Sequence, residues 1–98
     1  MTQDLNYDAI GRYLVATENM RAAIKERSDL FKKLCSYFDR LDCPVGENEV
    51  VLVNRGELDR VIKRLVELNG DVQQAAAEAN HSAAKAGRPA LNCHVQDM

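Results

Sequence analysis

Residues 49–60, EVVLVNRGELDR, decide how this chain folds. Four apolar residues, Val50 to Val53, run directly into a helix start, with Asn54 as N-cap and Glu57 placed to reach back in a capping box. Such a run either pairs as a strand or crosses the end of a helical hairpin as a strap. A lone strand of four has no partner for its backbone N–H and C=O groups. The strap reading follows, with Val50 to Val53 extended over Tyr37, Phe38 and Leu41. Strand pairing is the alternative, and it requires two associated chains.

Upstream, the pattern predicts one long helix over about 6–42, capped by Asn6 or Asp4, with Asp8 in the first turn. A seven-residue repeat places Ile10, Thr17, Ile24, Phe31 and Phe38 on one line and Tyr13, Met20, Arg27, Leu34 and Leu41 three residues further on. Eight of these ten are apolar, a coiled-coil density sustained over more than four heptads. Ala9, Ala16, Ala23, Leu30 and Tyr37 add a third line, so the stripe is wider than a two-helix seam needs. Pro44 and Gly46 end the helix and begin an extended loop over 43–53.

Downstream, helix two is expected over about 55–86 with its own repeat: Leu58, Leu65, Val72, Ala79 and Ala86, and Val61, Leu68, Ala75 and Ser82. The Asn69-Gly70 pair is a chemical helix stop, yet the repeat runs through it, so one continuous helix with a weak point is expected. Gly87 caps the end, Pro89 prevents resumption, and residues 88–98 read as a flexible tail after a single domain over 1–87.

Together these elements predict an all-α fold, a long antiparallel helical hairpin. Folded about its loop, the chain sets Leu41 by Leu58, Phe38 by Val61, Leu34 by Leu65 and Phe31 by Leu68. The small residues Ala9, Ala16 and Ala23 fall near Ala75, Ala79, Ala83 and Ala86, Thr17 shares a polar layer with Ser82, and Arg27 stands opposite Val72 beside Asp71. Two helices do not cover so wide a stripe. Leu14, Leu30, Tyr37 and Ile62 flank the seam, and with Phe31, Phe38, Val51 and Val53 they form a candidate interface. A homodimer completing a four-helix bundle, or docking onto a host or partner protein, would bury it.

Little in the chain points to chemistry. Cys35, Cys43, Cys93, His81 and His94 lack metal-ligand spacing, His81-Ser82 has no acid to orient the imidazole, and the glycines form no phosphate loop. No catalytic residue, cofactor or metal is assigned. Three cysteines cannot all pair within 98 residues, and no apolar export segment or membrane-length run is present, so a cytoplasmic protein with reduced thiols and no membrane contact is expected.

Net charge is only −2, but its distribution is uneven. Residues 21–40 carry six basic against three acidic side chains, and residues 55–64 carry four against two. The hairpin brings these together as a basic band in which Lys32, Lys33, Arg60, Lys63 and Arg64 are candidate contacts for nucleic acid or an acidic partner. Mixed charge at helical spacing equally makes a solvated face of ion pairs.

The middle third, VLVNRGELDRVIKRL, resembles in texture the small helical accessory proteins of temperate bacteriophages. That resemblance implies action by binding, either blocking or redirecting a host enzyme or assisting phage DNA metabolism, and carries over no site residues. The expected function is a non-enzymatic protein-binding module, an accessory protein or inhibitor. A nucleic-acid-binding accessory protein is the alternative.

Overall fold

The computed structural model describes residues 6–98. It contains α1, Tyr7–Leu41, and α2, Arg55–Ala83, packed side by side as an antiparallel hairpin, with no strand among the described residues. Neither helix is long and apolar enough to cross a membrane. The radius of gyration is 20.1 Å, where a compact domain of this length would have about 13 Å. The molecule is a rod.

Local sequence sets the helix ends. The Asn6 side chain accepts the Ala9 N–H at 3.0 Å, and Asn54 accepts the Glu57 N–H at 3.1 Å, so each cap satisfies a donor that has no partner inside its helix. Asp4, the alternative cap, lies outside the described residues. At the far end of α2, the Arg88 N–H donates to the Ala83 carbonyl and the Gly87 N–H to that of Ala84. Gly87 has φ +71, the left-handed conformation that this Schellman closure requires. Regular α-helix thus stops at Ala83, and a last turn carries the chain to the expected glycine. Gly70 lies inside unbroken helix. The hydrogen-bonded ladder and the packing of Val72, Ala75 and Leu68 outweigh the roughly 1 kcal/mol cost of glycine there.

The interhelical seam keeps one of the two heptad lines of α1, Tyr13 to Leu41, and toward the loop exchanges the other for the line of Ala9, Ala16, Ala23, Leu30 and Tyr37; Ile10 and Thr17 of the exchanged line are still covered near the termini. Ala9, Tyr13, Ala16, Met20, Ala23, Arg27, Leu30, Leu34, Tyr37 and Leu41 are buried or half-buried, whereas Ile24, Phe31 and Phe38 are exposed. The reason is size. Ala79 and Ala83 on α2 let α1 approach closely, and alanines permit that approach where phenylalanines would not. On α2 the expected repeat is the one that packs, and Leu68, 2% exposed, is its largest fully buried side chain. Leu30 and Tyr37 therefore belong to the seam and not to its flank.

Register differs from the expected pairing by about two helical turns. Arg64 pairs with Glu26, Lys33 with Glu57, and Leu68 lines the same groove as Ala23, so Leu68 does not face Phe31. Arg27 donates to the Asn69 side chain at 3.0 Å, instead of standing by Val72 and Asp71. The loop explains the shift. Residues 50–53 form neither helix nor strand, and the Asn54 N–H reaches the Tyr37 hydroxyl, one turn short of the end of α1, so α2 begins alongside Tyr37. Val50 and Leu52 point to solvent, Val51 and Val53 are about half-exposed, and Phe38 stays open.

The segment after α2 is irregular but anchored. The Asn80 side chain bonds both backbone groups of Leu91, accepting its N–H at 2.6 Å and donating to its carbonyl at 3.1 Å. The chain therefore turns back along α2 after Gly87. Ala76 and Ala83, one turn either side of Asn80, are buried, as is Thr17, whose hydroxyl donates to the Leu14 carbonyl.

Candidate functional site

The two long edges of the hairpin differ. Along one edge Arg64 grips Glu26 with two hydrogen bonds, 2.7 and 3.1 Å, and also meets Glu67, while Lys33 meets Glu57 at 3.8 Å. The hydrogen bond from Arg64 holds the Glu26 carboxyl below its ordinary pKa and raises that of Arg64 itself. Toward the termini this edge opens into a shallow groove of about 790 Å³ lined by Tyr7, Gly11, Val15, Ala77 and His81, among others.

The opposite edge, at the loop half, is largely apolar, with Arg27 held within it and the Arg55–Asp59 pair at its loop end. Ile24, Ser28, Phe31, Cys35 and Phe38 follow one another at spacings of four and three on α1. From α2 come Ile62, Val66 and Asn69. Arg27 joins the two helices here, its guanidinium 5.7 Å from the Phe31 ring centre while it bonds to Asn69. Phe31 is 48% exposed, Phe38 47%, Ile62 44% and Val66 68%. Exposed apolar residues are ordinary when scattered; these lie in one strip.

The expected interface residues divide accordingly. Phe31, Phe38 and Ile62 lie exposed on the same edge, and Val51 and Val53 are exposed in the adjoining loop. Leu30 and Tyr37 are half-buried in the seam, and Leu14 is exposed about three turns beyond Ile24, toward the termini. Ile24 and Val66 were not in the expected set. Ile62 and Val66 form an i, i+4 apolar pair outside the heptad of α2, which is the sequence signal for that part of the strip.

The basic band is partly neutralised. Lys33 and Arg64 are held by Glu57, Glu26 and Glu67, while Lys32, Arg60 and Lys63 make no ion pair among the described residues. The three cysteines are free and exposed, and among the described residues no three potential metal ligands converge.

No protein-family model, curated protein or solved structure matches the chain. The likeness to phage accessory proteins rests on the texture of the middle third alone.

Proposed function

We propose that this protein is a non-enzymatic docking module, a helical hairpin that binds a protein partner through the strip of Ile24, Phe31, Phe38, Ile62 and Val66. The observation that carries the reading is the uncharged, half-exposed state of these five side chains on one edge of a rigid rod. Chain area supports it. The molecule exposes 8178 Å², and a compact monomer of this mass would expose about 5600 Å². The partner's matching surface is an apolar helix face, because a strip with 3.6-residue periodicity is filled by side chains of the same periodicity. An inhibitor or accessory role toward a host protein is the form of this function that the phage-like texture suggests.

Capture of a protein by the tagged chain from its source cells, compared with capture by Phe31→Asp and Ile62→Asp variants, tests the reading. A specific partner retained by the wild type and lost by both variants is the expected result. A partner retained equally by all three places binding elsewhere and overturns it. Nucleic-acid binding through Lys32, Lys33, Arg60, Lys63 and Arg64 is the weaker reading, since acids already occupy two of the five. It requires a mobility shift at low salt that weakens steeply as salt is added.

A further inference from the structure

We propose that the strip is first occupied by a second copy of this chain, lying antiparallel across it with α1 on α1. The proposal rests on the docking reading above and names the partner. Three observations carry it.

The order of side chains on α1 is self-complementary. Ile24, Ser28, Phe31, Cys35 and Phe38 read large, small, large, small, large in either direction. With Phe31 facing its own copy, Ile24 falls opposite Phe38 and Ser28 close to Cys35. Large side chains then meet large ones at three levels, with small ones between, which is what two interdigitating ridges require. Ile62 and Val66 lie toward one end of this pairing: the Glu26–Arg64 and Lys33–Glu57 pairs set Ile62 at about the level of Ser28 and Val66 at about that of Ile24.

Charge permits the pairing. Arg27 is the one cation within the strip and is held by Asn69 and the Phe31 ring, and the Arg55–Asp59 pair at its loop end is internally neutral; with Phe31 on the axis, Arg27 falls opposite Cys35 and not opposite its own copy. The other edge carries the ion pairs and would bring Glu26 and Arg64 of each copy into a dry contact.

The returning tail sets the extent and direction. Asn80 holds Leu91 over the terminal half of α2, where Ala76 and Ala83 are buried, so only the loop half is open. Rods side by side in the same direction would bring both tails together. In the opposite direction the loop halves overlap and the tails lie at the two far ends.

A Ser28→Cys variant that keeps Cys35, with Cys43→Ser and Cys93→Ser, tests the geometry. Within one helix these positions are about 10.5 Å apart and too distant to bridge, so a disulfide between 28 and 35 joins two chains. Mild oxidation should give a cross-linked dimer whose digest contains the 28–35 pair. Sedimentation of the wild type should show a dimer, and Phe31→Asp and Ile62→Asp, with helical content intact, should each weaken it roughly 100-fold by burying an unpaired carboxylate. A wild-type monomer at submillimolar concentration, a dimer indifferent to both variants, or an oxidised sample without the 28–35 pair overturns the proposal. A wild-type monomer whose capture of another protein is lost on Phe31→Asp sinks self-pairing alone and leaves the docking reading intact.

Discussion

The Tyr37 hydroxyl accepts the backbone N–H of Asn54 at 2.7 Å. This bond joins the last turns of α1 to the residue that caps α2, and it fixes where the second helix begins. Replacing Tyr37 by Phe removes the acceptor while keeping the ring in the seam. A loss of about 1 kcal/mol in stability is expected, with faster hydrogen exchange at the Asn54 amide. Denaturant unfolding and amide exchange measure the two effects. An unchanged Asn54 exchange rate would show that the bond does not hold the loop.

Two glycines should respond oppositely to alanine. A Cβ at Gly70 meets nothing within 4 Å, and the residue sits in helix interior, so Gly70→Ala should stabilise by about 0.8–1 kcal/mol. Gly87 also has open space around it, but its φ of +71 penalises any side chain, and Gly87→Ala should cost about 1 kcal/mol. Thermal unfolding of the pair at equal protein concentration decides both signs.

Among the described residues Leu68 is the one large side chain that is fully buried, at the level where alanine-on-alanine packing gives way to larger residues. Leu68→Ala should destabilise by about 2–4 kcal/mol through lost burial and the cavity left behind. Phe31→Ala, half-exposed in the single chain, should cost far less under conditions where the chain is monomeric. Equilibrium unfolding of the two variants compares seam with strip.

The Glu26–Arg64 pair gives stability an acid limb. Glu26 titrates below its ordinary value because Arg64 donates to it. Its contribution is complete above the unfolded-state carboxylate pKa and disappears as pH falls through the lower folded value. Glu26→Gln should therefore unfold at a lower temperature than the wild type at neutral pH, with the gap closing as the solution is made acidic. Both side chains are about half-exposed, so added salt should narrow the gap as well. Melting curves across pH at two salt concentrations check this.

Much of the fold was written locally. Asn6, Asn54 and Gly87 mark helix ends through bonds made within a few residues of chain, and the seven-residue repeat of α2 identifies the residues that pack. The strip was only partly legible. Phe31, Phe38 and Ile62 stand out as too much apolar surface for two helices, but the seven-residue repeat places Ile24 in the seam and Val66 in neither set. A third apolar line on α1 leaves the rotation of the helix open, and periodicity alone does not choose between adjacent lines.

By itself the sequence determined two amphipathic helices, their caps and their antiparallel order, because those follow from propensity, capping and a short connection. Tertiary structure decided the rotation of α1, the register and the return of the tail. Those depend on how closely Ala9, Ala16 and Ala23 approach the alanines of α2, on the reach of Asn54 to Tyr37, and on the grip of Asn80 on Leu91. Each is a distance between residues far apart in the chain, and no local pattern encodes it.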